Sequence, residues 1–239
     1  MERRTYALEI AYLGTHFSGF ARQPGRRTVE GVLRSALEAQ GLNPGLAVAG
    51  RTDAGVHARR QLVSFRMRAP LDLEALRLAL SPAADLRLLR AGRVEDSFHA
   101  RASAIERRYL YRLRIGGCES SFRWVLPEAS FDWERAAAVL EAQLGAIDRR
   151  PFTTRPSASK ITSLREASLR RLGARRLVAS FRADGYTRHL IRNWMAAAIA
   201  AAAGKPAPSS SSHGFHGRPA PAGGLCLWEI DYGRDPFVR

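Results

Sequence analysis

Apolar and polar residues alternate along the first hundred positions in a way that predicts a regular series of strands and helices. From Tyr6 to Tyr12 every second residue is apolar, which is typical of a strand with one buried face. Thr28 and Asp72 precede apolar helical patterns and can cap them, and Gly41 can close the first helix. The predicted elements are a strand at 6–12, a helix at 29–37, strands at 46–49 and 62–65, a helix at 73–80 and a strand at 86–94.

The second part of the chain shows the same order, β-α-β-β-α-β. The predicted elements are a strand at 105–113, a helix at 133–144 capped by Asp132 and ended by Gly145, strands at 163–172 and 176–183 joined at Gly173, a helix begun by Thr187 and ended by Gly204 and Pro206, and a strand at 225–232. Two such series predict an α+β protein with two ferredoxin-like halves, residues 1–103 and 104–239. The repeat is one of pattern, without visible sequence identity. Residues 205–224, rich in Pro, Ser and Gly, predict a flexible loop.

The composition is that of a folded protein with an unusual charge. Among 239 residues, 46% are hydrophobic and 25% charged, which argues against disorder. The net charge is +16, and all but two of the 38 basic residues are arginine. A GC-rich genome would explain arginine in place of lysine, but it would not explain the shortage of acidic residues. Arginine suits phosphate, so we expect a nucleic-acid partner.

Several other classes of protein are disfavoured. Cys118 and Cys226 are too far apart for a disulfide framework or a thiol zinc site, and His213 and His216 have no further ligands nearby in sequence. No nucleotide-binding glycine loop occurs, and we expect neither a metal nor a cofactor. The N-terminus does not resemble a signal peptide, and the apolar run 195–203 is too short to span a membrane, so we expect a cytoplasmic protein without membrane association.

The segment Ala49-Gly50-Arg51-Thr52-Asp53-Ala54-Gly55-Val56-His57-Ala58 carries the most chemical information. Gly50 and Gly55 permit tight turns on both sides of Asp53, so a carboxylate can be presented on a narrow loop. Arg51 can act at the same place, on a phosphate or in the position of a displaced base. By residue types alone, an Asx turn in which Asp53 only caps its own backbone is the more ordinary interpretation, because isolated Asp-Ala-Gly turns are common.

This segment resembles the catalytic loop of the TruA family of tRNA pseudouridine synthases. The other segments that resemble the family, in its order, are Ile10-Ala11-Tyr12-Leu13-Gly14-Thr15-His16-Phe17-Ser18-Gly19-Phe20, Thr28-Val29-Glu30-Gly31, Phe98-His99-Ala100-Arg101 with Arg107-Arg108-Tyr109-Leu110-Tyr111, Arg188-His189-Leu190-Ile191-Arg192-Asn193, and Ala220-Pro221-Ala222-Gly223-Gly224-Leu225. The resemblance implies a pseudo-symmetric pseudouridine synthase fold with a central mixed or antiparallel sheet and helices on one side. Departures include Leu13, Phe20 and Trp194 with Met195.

The resemblance also implies roles for individual residues. Asp53 would be the catalytic carboxylate, attacking either the sugar or the base, and Arg192 the cation that keeps it ionised. Tyr109 would stack on the target base and help to remove its C5 proton, and Leu225 would pack near the uracil. Each also has an ordinary interpretation: a solvated helix position for Arg192, a half-buried sheet aromatic for Tyr109, as we expect for Tyr111, and a core residue for Leu225.

The substrate expected from the resemblance is tRNA, modified at positions 38 to 40 of the anticodon stem-loop, by a homodimer. Arg51 would hold the flipped nucleotide. Further contacts with the RNA backbone are expected from arginines that cluster in the two loops beside Asp53. For any single one of them a solvated surface position is the more ordinary interpretation; they are Arg22, Arg26, Arg27, Arg59 and Arg60.

Three other functions remain open at this stage. The first is a tRNA-binding or chaperone-like relative with little or no catalysis, which would share the fold and the charge. The second is a synthase acting on another RNA or another tRNA site. The third, a two-domain ferredoxin-like enzyme of metabolism, would leave the charge of +16 without a polyanionic partner.

Overall fold

The chain divides into two compact units in the computed structural model, which describes residues 2–116, 124–126, 131–147, 162–205 and 217–238. Met1–Arg107 and Leu227–Arg239 form the first unit, and Arg108–Cys226 form the second. The last thirteen residues therefore group with the beginning of the chain by contact. The domain boundaries drawn from the sequence, 1–103 and 104–239, stay a prediction.

The first unit has the predicted order of elements. They are β1 (Arg4–Tyr12), α1 (Val29–Glu38), β2 (Ala47–Val48), β3 (His57–Met67), α2 (Leu73–Leu80) and β4 (Leu86–Arg93). Strand β1 pairs antiparallel with both β3 and β4, with Tyr6 opposite Phe65 in the first pair. The strand order in this unit is β4-β1-β3-β10, where β10 (Leu225–Asp231) contributes its residues from Leu227 onward.

The helices of the first unit begin where their caps predict. The Thr28 side chain accepts a hydrogen bond from the Gly31 N–H at 3.1 Å, and Asp72 accepts from two backbone N–H groups at 3.0 Å. Such caps satisfy donors that the first helical turn leaves without an intrahelical partner. Leu33 and Leu76 are fully buried on the inner faces of the two helices.

The second unit contains more strands than the pattern predicts. Its elements are β5 (Glu106–Ile115), β6 (Trp124–Leu126), α3 (Trp133–Glu141), β7 (Gly145–Ile147), β8 (Thr162–Arg171), β9 (Arg176–Ala183), α4 (Leu190–Ala202) and the start of β10. The strand order is β5-β9-β8-β7, and β6 pairs with β5 in parallel. The order predicted for this half therefore lacked two strands, β6 and β7. Each has only three residues, which is too few to show an alternation of apolar and polar positions. Mixed pairing together with helices confirms the α+β class.

Three local predictions for the second half of the sequence were also wrong. His189, not Thr187, occupies the N-cap position of α4; its φ of 63° is left-handed, and its side chain makes no capping hydrogen bond. Leu144 follows α3 instead of packing on its inner face, and its side chain is 48% exposed. Ile105 precedes β5 and is also 48% exposed. The other residues predicted on this face of β5 are buried as expected, since Tyr111 and the residues at alternate positions beside it are buried.

Several predictions made from the sequence concern residues outside the described ranges. They concern Cys118 and positions 206–216 of the predicted loop, which include Pro206, His213 and His216. Within the described ranges, no helix combines the length and apolarity that crossing a bilayer requires.

Candidate active site

Asp53 lies on a loop, residues 49–56, that a second loop of the first unit holds in place. This second loop, residues 13–28, joins β1 to α1. The Phe20 N–H donates to the Thr52 carbonyl at 3.0 Å, and the Gly55 N–H donates to the Phe17 carbonyl at 3.3 Å. Two motifs that lie more than thirty residues apart in sequence thus meet through their backbones. We refer to residues 49–56 as the Asp53 loop and to residues 13–28 as the supporting loop.

Glycine is required where the two loops approach each other. A Cβ atom on Gly14 would lie 2.1 Å from the Val56 carbonyl oxygen, far inside van der Waals contact. Gly19 has a φ of +96° and sits against the Thr52 carbonyl, and Gly55 has a φ of +80° within the turn closed by the Val56 N–H and the Asp53 carbonyl. Any larger side chain at Gly14 would push the Asp53 loop away.

The first residues of the Asp53 loop are fixed by two side chains. Arg107 is only 8% exposed, and its Nε and one terminal nitrogen both donate to the Ala49 carbonyl, at 3.1 and 3.0 Å. Gln61 Nε2 donates to the Gly50 carbonyl at 2.6 Å. Buried polar groups of this kind keep a loop in one conformation, because releasing them would leave them without partners.

The middle and end of the loop are held in the same manner. The hydroxyl groups of Tyr12 and Thr52 are 2.7 Å apart, and both residues are buried. His57 Nδ1 accepts a hydrogen bond from the Gly14 N–H at 3.0 Å, just after the loop ends. The carboxylate of Asp53, which is half-buried, is not among the groups that make these contacts. Residues other than Asp53 therefore help to fix the conformation of the loop that carries it.

The predicted RNA-contacting arginines of the first unit fall into two groups. Arg27 makes a bidentate ion pair with Asp85, with both N–O distances 2.7 Å, and Arg60 donates to Glu9 at 2.6 Å. The Arg27 guanidinium lowers the pKa of the Asp85 carboxyl below its ordinary value, mainly through this hydrogen bond. The other arginines are exposed, and within the described part of the chain no carboxylate pairs with their guanidinium groups; they are Arg22, Arg26, Arg51 and Arg59.

Tyr109, Arg192 and Leu225 all belong to the second unit. Tyr109 on β5 is 6% exposed, and its ring packs edge-on against Tyr186 with the centroids 5.0 Å apart. Arg192, on α4, donates from Nε to the Ala220 carbonyl at 2.7 Å, and its own carbonyl accepts from the Ala220 N–H at 3.0 Å. Leu225 is the first residue of β10 and is 6% exposed.

Tyr111 ties the turn before β10 to β5. It is fully buried, and its hydroxyl donates to the Pro221 carbonyl at 2.6 Å. Burial raises the pKa of the Tyr111 phenol well above its ordinary value, and the charge of Arg192 opposes that shift. A Cβ on Gly224 would lie 2.5 Å from the Tyr111 ring. Tyr111 thus has the structural role expected of it, and it fixes the turn to which Arg192 is bonded.

Each unit brings some of the predicted residues together. In the first unit, Arg51 and Asp53 share one loop, and the supporting loop carries Arg22. In the second unit, Arg192 and the turn that leads to Leu225 are joined by hydrogen bonds. Sequence reasoning missed the role of Arg107, although an arginine at an inward position of a predicted strand was a visible signal.

A metal centre is not suggested by these residues. In the ranges that the structure describes, no three His, Cys, Asp or Glu side chains are grouped so as to hold an ion.

The fold and these residues define a class: a basic α+β protein that presents an aspartate on a loop held by its neighbours. The same unit carries exposed arginines that have no carboxylate partner among the described residues. No family model matches the chain. A relative from Solibacter usitatus (strain Ellin6076), named tRNA pseudouridine synthase A, is 33% identical over 242 residues, which is 96% of this chain and 100% of the relative.

A second relative of that name, from Natronomonas pharaonis, is 41% identical over 206 residues, covering 83% of this chain and 71% of the relative. The chain belongs to the tRNA pseudouridine synthase A family, the TruA family that its motifs resemble. Among solved structures, the Cbf5-Nop10-Gar1 complex has a TM-score of 0.38 and 13% identity, with 81% of this chain and 45% of that chain covered. A TM-score of this size does not define the fold.

Proposed function

We propose that this protein is a tRNA pseudouridine synthase, an isomerase that converts uridine to pseudouridine without a cofactor or metal. The observation that carries the proposal is the Asp53 loop, whose conformation is fixed by Arg107, Gln61 and Tyr12 and which presents an aspartate beside the exposed Arg51. Membership of the family and the charge of +16 support an RNA substrate.

The reaction breaks the bond between N1 of uracil and C1′ of ribose and forms a bond between C5 and C1′. The C5 proton leaves, and N1 takes up a proton, so that the product is an isomer of the substrate. In our proposal Asp53 is the carboxylate that attacks or stabilises the reacting centre, on the sugar or on the base. A loop fixed in advance keeps this group in position without reorganisation during the reaction.

Tyr109, Arg192 and Leu225 take supporting roles in this proposal. Tyr109 stacks on the target base and assists removal of the C5 proton, and Arg192 provides the cation that favours an ionised aspartate. Leu225 packs near the uracil. The contacts of Arg192 with Ala220 support a fixed guanidinium, and the edge contact between Tyr109 and Tyr186 supports a fixed ring.

The substrate uridine has to leave its stack before it can react, at a cost of a few kcal/mol. We assign Arg51 to hold the flipped nucleotide, with Arg22 and Arg59 contacting the phosphate backbone. Their exposure, and the lack of carboxylate partners for their guanidinium groups in the described residues, support this assignment. Arg27 and Arg60 already bind Asp85 and Glu9, which makes them weaker candidates.

The test is tritium release from tRNA that carries C5-labelled uridine, for the wild type and for Asp53→Asn. Asp231→Asn is the matched control, because an asparagine oxygen there can still accept from the Gly233 N–H. We expect release by the wild type and the control only. If the wild type binds tRNA and releases no tritium, a tRNA-binding protein or a synthase for another RNA replaces the proposal.

The finer assignments are modification of positions 38 to 40 in the anticodon stem-loop, a homodimer and a cytoplasmic location. Sequencing of treated tRNA after carbodiimide labelling locates the modified uridines. Pseudouridine at a different position would overturn the assigned site and leave the reaction intact. Sedimentation of the purified protein with and without tRNA gives the mass, and a monomer in both samples would overturn the dimer.

A further inference from the structure

A β-bulge in β3 separates two neighbouring arginines. The residue pairs Ile10–Gln61 and Tyr12–Ala58 flank a shift in register between β1 and β3. Between these pairs β1 has one residue, whereas β3 has two, Arg59 and Arg60. Bulges of this kind turn side chains out of the regular alternation and often lie beside active sites. The bulge begins two residues after the start of β3, which directly follows the Asp53 loop.

The two arginines at the bulge have different partners. Arg60 donates from Nε to Glu9 Oε1 at 2.6 Å, and Glu9 is 6% exposed and also bound by Arg90 at 2.7 Å. Arg90 also binds Asp235 at 2.6 Å, so Arg60 belongs to a network of two arginines and two carboxylates whose charges compensate each other. Arg59 lies over the ring of Trp228, with its Cζ atom 4.4 Å from the ring centroid, and no carboxylate binds it in the part of the chain described.

Trp228 belongs to β10, the strand beside β3 in the first unit. Its indole is half-buried, whereas Arg59 is exposed. An indole face attracts a guanidinium through the quadrupole of the ring without neutralising its charge. Arg59 is thus restrained by its neighbour and keeps its hydrogen-bond donors and full positive charge for an anion from solution.

We propose that Trp228 is a positioning residue for RNA, acting through Arg59, which contacts a phosphate of the bound strand. This inference rests on the proposed function, because it names tRNA as the anion. A stacked guanidinium loses less rotational freedom on binding than a solvated one, so Trp228 raises affinity without touching the RNA. Arg60 does not take part, because Glu9 already compensates it.

The experiment measures the affinity of purified full-length protein for unmodified tRNA transcript across a series of salt concentrations. For Arg59→Ala we expect weaker binding and a salt slope, log affinity against log salt, that is smaller by about 0.7 to 0.9. For Trp228→Leu we expect affinity about three- to ten-fold weaker, with the slope unchanged because the charge remains. Trp228→Phe keeps an aromatic face and should restore most of the affinity.

The double variant provides the decisive comparison. If Trp228 acts through Arg59, then Trp228→Leu has little further effect in a protein that already carries Arg59→Ala. An equal loss in both backgrounds, or an unchanged affinity of Trp228→Leu in the wild-type background, overturns the inference. Thermal unfolding of each variant, with Arg60→Lys as the control at the same bulge, separates a folding defect from a binding defect.

Failure of this inference can be told apart from failure of the proposed function. Tritium release by the wild type, together with variants that bind tRNA as it does, overturns only the role of Trp228. A wild type that binds tRNA without tritium release overturns only the catalytic proposal. Absence of tRNA binding by the wild type overturns both.

Discussion

The loop that carries Asp53 and the helix that carries Arg192 hold their key side chains by different means. The Asp53 loop is fixed by its own backbone and by other residues, chiefly Tyr12, Gln61 and Arg107. Arg192, by contrast, uses its own guanidinium to bind the Ala220 carbonyl. We therefore expect a change at Asp53 to affect the proposed catalytic function more than stability, and a change at Arg192 to affect both. Variants at the two places should differ in how far activity and stability fall together.

The largest effect is expected for Asp53→Asn, which changes the charge while keeping the shape of the side chain. Turnover should fall by at least about a thousand-fold, as for the loss of an essential catalytic group. The free energy of unfolding should fall by only about 1 kcal/mol or less, because the contacts of Tyr12, Gln61 and Arg107 with the loop remain in the variant. Tritium release and urea denaturation measure the two quantities. A large loss of stability would show that the loop depends on the carboxylate.

The next largest effect is expected for Gly14→Ala, which breaks the packing of the supporting loop against the Asp53 loop. A Cβ there would lie 2.1 Å from the Val56 carbonyl oxygen, so the loops have to separate. We expect a loss of about 2 to 4 kcal/mol in stability, together with most of the activity. Gly45→Ala is the control, since no atom lies within 4 Å of the added Cβ. Equal losses of stability and activity in Gly14→Ala and Gly45→Ala would contradict the interpretation that the supporting loop fixes the Asp53 loop.

At Arg192, a lysine keeps the charge and removes the planar donor that binds the Ala220 carbonyl. Arg192→Lys should lower stability by about 1 to 2 kcal/mol and reduce turnover as well, in contrast to Asp53→Asn. Arg188→Lys, at an exposed position just before the same helix, should change neither. Thermal unfolding and single-turnover assays test both. If turnover falls while stability is unchanged, Arg192 has a role in function and none in stability.

The smallest effect concerns the ion pair between Arg27 and Asp85, which anchors the supporting loop. The pKa of Asp85 is lower in the folded protein than its ordinary value, so its stabilising contribution is present at neutral pH. The contribution fades as the pH falls below about 4 and the carboxyl takes up a proton. Asp85→Asn should therefore melt slightly below the wild type at pH 7, with a difference that shrinks toward pH 3. A constant difference would assign the effect to packing.

Most elements of the first unit could be predicted because their signals are local. Thr28 and Asp72 cap helices through hydrogen bonds to N–H groups two or three residues away, and the alternation from Tyr6 to Tyr12 spans a whole strand. The short strands β6 and β7 could not be predicted, since three residues pair only because a neighbouring strand is already there. The start of α4 at His189 depends on a left-handed backbone conformation at that residue, and the capping preference of threonine, which pointed to Thr187, does not predict it.

The residues of the candidate site could be named from the sequence, but the contacts between them could not be predicted from it. The motifs around Gly14 and Asp53 were visible in the sequence, whereas their meeting through backbone hydrogen bonds was not. Arg107 was placed on the buried face of a strand, but its bond to the Ala49 carbonyl spans 58 residues of chain. Contacts over such separations depend on which strands lie side by side, and a local pattern does not contain that information.

The sequence by itself determined the charge of +16, the α+β class and the aspartate loop as the place to look for chemistry, because composition, periodicity and turn residues act over short distances. Only the tertiary structure decided which of the described arginines pair with a carboxylate. Arg59 and Arg60 are adjacent in the chain, yet a bulge sends one to the indole of Trp228 and the other to Glu9. Compensation of a charge requires an opposite charge within a few ångströms, and folding alone brings residues from distant strands that close.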